Sequence, residues 1–299
     1  MREQFIDRTF QPATLATIAL ADTIIAEYQA QGFVLTLRQL YYQFVARGHL
    51  PNKQTEYKRL GSIINDARLA GLLDWSAIED RTRNLATHAA WGGVADIIAA
   101  AAQSFRLNPW LNQDVAPEVW IEKEALTGVI EPVCDRWRVP YFACRGYTSQ
   151  SEQYRAGDRF KDAFQHVRRP LVLHLGDHDP SGIDMTRDNA DRLALFARHD
   201  VEVKRLALNF DQVQEHNPPP NPAKETDSRH AGYAARFGDE SWELDALNPQ
   251  VIDGLIDAAL KEIVNDTAWN ETMEREDAAR ATLAQACDRW DAVTDFLNE

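Results

Sequence analysis

Through the middle of the chain, short apolar runs cut off by charged residues, Pro or Gly alternate with longer amphipathic stretches. The runs at 119–122, 139–144, 171–175 and 201–208 are rich in aliphatic side chains and have the length of buried strands. Between them, 124–137, 150–167 and 183–199 carry apolar residues at helical spacing and are long enough to be crossovers. The alternation predicts an α/β unit over 113–240, a four-stranded, mainly parallel sheet with flanking helices. In such sheets ligands gather outside the carboxyl ends of the strands, so chemistry is expected in the residues that follow each apolar run.

Ahead of this unit the pattern is helical. One helix is expected over 13–31. Thr36 opens a second, with Gln39 three residues on as its capping-box partner and Gly48 as its stop. Two short helices in succession predict a helix-turn-helix. The polar loop 49–58 reads as a wing, 59–72 as a further helix, 75–83 as a charged stretch, and 89–105 as an alanine-rich helix buried against its neighbours. Asn108-Pro109 and Ala116-Pro117 mark the expected linker. Residues 1–112 are therefore read as a helical, winged-helix-like DNA-binding domain. Beyond the sheet, the Pro-rich segment 218–222 is a stiff extended loop and 241–299 an acidic helical extension.

Composition narrows this picture. At 299 residues and 44% hydrophobic content the chain can fill two cores. No stretch nears the roughly 18 apolar residues of a membrane span, and the first ten residues lack a secretory pattern, so the expected location is the cytoplasm. Cys134, Cys144 and Cys287 are scattered and odd in number, which speaks against a disulfide framework or structural zinc. The net charge of −14 is uneven: residues 239–299 hold 16 acidic against 4 basic side chains, or −12 of it. A polyanionic substrate is therefore not excluded from the rest of the chain.

The most pointed chemistry is Asp177-His178-Asp179-Pro180-Ser181-Gly182, directly behind the apolar run 171–175. Two carboxylates two residues apart on extended backbone project to one side, which makes sense chiefly around a hard cation such as Mg²⁺, or Mn²⁺ in its place. Glu122 closes an earlier strand in the same way. On the second helix, Leu40, Tyr41, Phe44 and Val45 share one face, whereas Tyr42 lies with Arg38 on the other; Tyr41 reads as core and Tyr42 does not. Arg38, four residues before Tyr42, is placed to hold a phosphate or favour the phenolate. Lys123 and Arg145 are candidate phosphate contacts. Asp184 reads as a capping-box partner of Ser181, Glu124 as a helix-opening acid, and His174 as a hydrogen-bonded core residue.

Glu122 followed by Asp177-x-Asp179 with Pro180 and Gly182 resembles the Toprim domain of topoisomerases, primases and OLD-type nucleases. Thr36-Leu37-Arg38-Gln39-Leu40-Tyr41-Tyr42 resembles the tyrosine motif of the topoisomerase VI A subunit and its meiotic double-strand-break relative, and the order of the two segments matches that family. The resemblance implies transesterification. Tyr42 attacks a DNA phosphodiester and joins the 5′ phosphate, Mg²⁺ on Glu122, Asp177 and Asp179 offsets charge, and two chains form a homodimer that cuts both strands. It also implies a separate ATPase subunit, since the chain has no Walker-type phosphate loop. Two alternatives stay open: a Toprim nuclease of a defence or phage system with no covalent intermediate, and a non-catalytic DNA-binding module.

Overall fold

The computed structural model describes residues 2–78, 88 and 90–298. Three helices open the chain: α1 (Pro12–Gln29), α2 (Leu37–Ala46) and α3 (Gln54–Leu69). The capping box is formed as its sequence demands. The Gln39 amide donates to Thr36 Oγ1 at 3.2 Å, and the Thr36 amide donates to Gln39 Oε1 at 2.8 Å. Past Ala46 the chain turns at Gly48, whose φ of +72° favours glycine. Helix α3 starts five residues before the expected position. Residues 47–53 hold no strand, so the described loop forms no β-wing. Tyr57 explains the early start, because one helical turn in from Gln54 its ring packs edge-on against Tyr41 with centroids 5.4 Å apart. Ile24, Leu40, Phe44, Leu60 and Ile64 fill the core between the three helices.

Of the charged stretch 75–83, Trp75–Ala77 form a 3₁₀ turn, and everything from 79 to 87 lies outside the described residues, as does Ala89. The alanine-rich helix is shorter and less buried than its composition predicts. As α4 (Val94–Ser104) it has no buried residue, and Val94 and Ile97 are 58% and 41% exposed. Alanine favours helix but brings little apolar area to bury; α4 packs mainly on the late helix α11 described below.

The α/β unit follows with β1 (Val115–Ile121), α5 (Thr127–Trp137), β2 (Tyr141–Ala143), α6 (Gln150–Gln165), β3 (Arg169–Leu175), α7 (Pro180–Ala197) and β4 (Glu202–Ala207). Its four strands are all parallel in the order β2-β1-β3-β4. Ala116-Pro117 does not belong to a linker, as expected from the sequence, but to β1. Proline is tolerated there because β2 pairs with β1 only from Val119 onward, so no ladder bond is lost on that side. Alternate side chains reach opposite faces. Val119, Ile121, Leu171 and Leu173 join the core of α5, while Trp120 and Val172 join that of α6 and α7.

After the sheet come α8 (Phe210–His216), β5 (Asn221–Pro222), α9 (His230–Phe237) and β6 (Glu240–Ser241), with β5 and β6 paired antiparallel. The chain ends in α10 (Pro249–Ile263), α11 (Asp266–Asp288) and α12 (Trp290–Asn298). The three cysteines carry free thiols, and no helix among the described residues is long and apolar enough to cross a membrane.

Candidate functional site

Strands β1 and β3 run side by side and deliver their next residues to one edge. The Glu122 amide donates to the Leu175 carbonyl at 2.8 Å, and Glu122 Oε2 in turn accepts from the Asp177 amide at 2.8 Å. Asp177 turns its side chain away from the sheet. Its Oδ1 accepts from the Leu244 amide at 2.8 Å, and its Oδ2 lies 3.0 Å from Lys123 Nζ. Asp179 is the N-cap of α7, with Oδ1 accepting from the Gly182 amide at 2.6 Å and the Ser181 hydroxyl at 3.0 Å. Asp184 therefore has no capping role, because Pro180 fixes the helix start two residues earlier than the Ser181 reading required. It accepts instead from the Tyr147 hydroxyl at 2.6 Å and pairs with Arg187 and Arg229.

Two residues that sequence reasoning passed over complete the site. Glu243 and Asp245 flank Leu244 in a segment that crosses the sheet edge, held there by two backbone bonds between His178 and Trp242. Lys123 Nζ sits 3.0 Å from each of their carboxylates as well as from Asp177. Arg38 approaches from α2, pairing with Glu243 and, through Nε, with Asp245 at 2.8 Å. Glu243-x-Asp245 has the same acid spacing as Asp177-x-Asp179. The signal was present in the sequence, but it was read as part of an acidic helical tail. Arg205 was missed as well. It donates to the carbonyls of Asp177 at 2.6 Å, Gly176 at 3.1 Å and Gly182 at 2.9 Å, and so clamps the turn from β3 into α7.

Tyr42 belongs to this arrangement, though not on an exposed face. Tyr41 and Tyr42 are both 4% exposed. Tyr42 is in fact part of the same core as Tyr41, contrary to the reading of its helix face, because residues 244–246 arrive from two hundred residues downstream and close over it, with Ala246 joining that core. The Arg38 guanidinium stands 5.8 Å from the Tyr42 ring centroid. Tyr41 is anchored elsewhere, its oxygen accepting from the Lys53 amide at 2.7 Å.

Burial dominates the electrostatics. It pushes the Tyr42 phenol up to about 12, helped by the Asp245 and Glu243 charges and opposed by Arg38, so the arginine does not produce the phenolate expected of it. Burial also drives the carboxyls of Glu122, Asp177 and Asp245 above their usual range. Glu243 is half-buried, which would raise it, but Lys123 and Arg38 outweigh that and hold it down to about 2. The same burial pulls Arg205 down to about 10 against the attraction of Glu122, Asp177 and Asp179.

Oxygen donors of this kind suit Mg²⁺, and the crowding of acids on one strand edge is the charge excess a divalent ion would relieve. The arrangement, however, does not fit one. Among the described residues no group of three or more His, Cys, Asp or Glu side chains is placed to hold a metal ion. Asp177 commits both oxygens to Leu244 and Lys123, and Asp179 commits one to its own helix. Glu122 and Asp177 are brought together; the three acids do not close on one point. Glu124 lies in a short 3₁₀ turn and pairs with Arg145, so Arg145 stands outside the Lys123 cluster. His174 is core as expected, fully buried with Nδ1 bonded to the Thr186 hydroxyl at 2.8 Å.

What these observations establish is an α/β chain whose tyrosine-bearing helix and acidic strand edge meet in a single ionic cluster. No protein-family model and no curated protein matches the sequence.

Proposed function

We propose that this chain is a cytoplasmic DNA-cleaving transesterase with Tyr42 as its nucleophile. One observation carries the reading: Arg38, Glu243, Asp245, Lys123 and Asp177 form an unbroken set of ion pairs from the tyrosine helix to the carboxyl edge of the sheet. A structural tyrosine needs no such surroundings. In the proposed step the Tyr42 oxygen bonds to phosphorus and the bond from phosphorus to the 3′ oxygen breaks. The phenolic proton leaves and the departing oxygen gains one. Arg38 holds the phosphate beside the ring, with Lys123 and Arg145 as further contacts to the strand. Mg²⁺ or Mn²⁺ on Glu122, Asp177 and Asp179 is proposed only for a rearranged site, one in which Lys123 has released Asp177 and the three carboxylates have converged. Cutting both strands takes two tyrosines and hence a homodimer, and resealing coupled to ATP takes a separate subunit.

The burial of Tyr42 and its raised pKa favour a second reading, a Toprim-type nuclease in which water is the nucleophile and Tyr42 only packs. Supercoiled DNA incubated with protein and Mg²⁺, then run on denaturing gels with and without protease, separates the two. Breaks that stay attached to protein, and that disappear in Tyr42→Phe and Asp177→Ala, are the expected result. Free ends that survive Tyr42→Phe support hydrolysis. Absence of metal-dependent cutting, with DNA still bound, leaves only a binding module.

A further inference from the structure

A cavity of about 230 Å³ opens beside Tyr42, between α2, the start of α3 and the β5 segment. Its walls include the rings of Tyr41, Tyr42 and Tyr57, with Tyr41 5.6 Å from Tyr42 and 5.4 Å from Tyr57 between centroids. Lys53 is exposed at its rim and has no ion pair among the described residues. Across from it, Asn52 Nδ2 donates to Asn221 Oδ1 at 2.8 Å, which leaves Asn221 Nδ2 a buried donor without an acceptor. A buried donor left unpaired is an unfavourable state that a ligand acceptor relieves.

We propose that this cavity takes one unpaired nucleotide of the strand presented to Tyr42, with the base against the tyrosine rings and its phosphate toward Arg38 and Lys53. The inference rests on the reading of Tyr42 as facing DNA and deepens it. Size selects the occupant, because the space falls below the roughly 300–1,000 Å³ of pockets that enclose a drug-sized ligand and admits one ring system, not a base pair. Aromatic walls give stacking that tolerates any base, and the Asn221 amide offers a hydrogen bond to a ring nitrogen or carbonyl. Since a paired base has to leave its stack to enter, the favoured substrate is single-stranded, bulged or mismatched DNA.

The test is binding in EDTA, which needs no cleavage, read by fluorescence anisotropy on matched duplex, the same duplex with one bulged base, and single strand. The expected result is at least about tenfold tighter binding to the bulged duplex than to the matched one, within the range that stacking of one base supplies. That ratio falls towards one in Tyr57→Ala and Asn221→Ala. Lys53→Gln weakens all three substrates together. Should Tyr57→Ala not fold, Gln54→Trp fills the cavity from its exposed rim and removes the preference without touching the core. Equal affinity for bulged and matched duplex in the wild type, or a preference that survives both Asn221→Ala and Gln54→Trp, overturns the pocket assignment while leaving the cleavage reading intact. A protein that binds none of the three overturns both.

Discussion

A phenol pushed up to about 12 is ionised in about one molecule in ten thousand at pH 8, and each further pH unit raises that fraction tenfold. If the Tyr42 phenolate is the attacking species, cleavage by the wild type climbs about tenfold per unit from pH 7 to 9 without a plateau; a flat profile assigns the attack to another group. Glu243→Gln removes one of the charges that raises this pKa and leaves Arg38 with one fewer acid to share. The variant should therefore cut a few-fold faster at pH 7.5, and single-turnover rates across the pH range check both statements. The pairing of Tyr42 with Arg38 was legible from four-residue spacing on a helix. Its burial was not, because periodicity reports which face is polar and says nothing of a segment returning from residue 244 to cover it.

At the scale of elements, the turn between β3 and α7 is the tightest part of the site. A Cβ on Gly182 would stand 2.2 Å from the Asp177 carbonyl oxygen, a backbone atom that Arg205 holds in place. Gly182→Ala should cost about 1–3 kcal/mol in urea unfolding and disturb Asp177 and Asp179 with it. By contrast, Gly254→Ala in α10, where a Cβ meets nothing within 4 Å, should gain about 0.5–1 kcal/mol. The strands and crossovers were readable from apolar runs within a few residues. Asp179 shows the limit of that reading, because one acid serves equally as a helix cap and as a metal ligand, and spacing alone does not separate the uses. Ala116-Pro117 misled because proline usually signals a break, whereas the tolerance of β1 depends on where β2 begins to pair.

Across the whole molecule, the acidic C-terminal charge is partly turned inward. Glu276 of α11 is fully buried and accepts from the Leu107 amide at 2.7 Å; it also pairs with Arg138, at 2.9 Å through Oε1, and with Arg280. It pins α11 to the segment that joins α4 to the sheet. Glu276→Ala should lower stability by about 2–4 kcal/mol and make α4 and α11 susceptible to protease, a result limited proteolysis and urea melts read together. The surplus of acids at this end is plain in the sequence, but nothing in it separates buried ones such as Asp245 and Glu276 from the many that are solvated.

The Lys123 ammonium is the knot in which the two halves of the chain are tied, since Arg38 and Lys123 grip the same pair of acids. The helix that carries Tyr42 is thereby latched, through Arg38, to the acids of its own chain. In the proposed homodimer, a tyrosine helix that served the partner's acids would first have to leave those of its own chain, so such a partnership would start with a rupture inside each molecule before a junction between them.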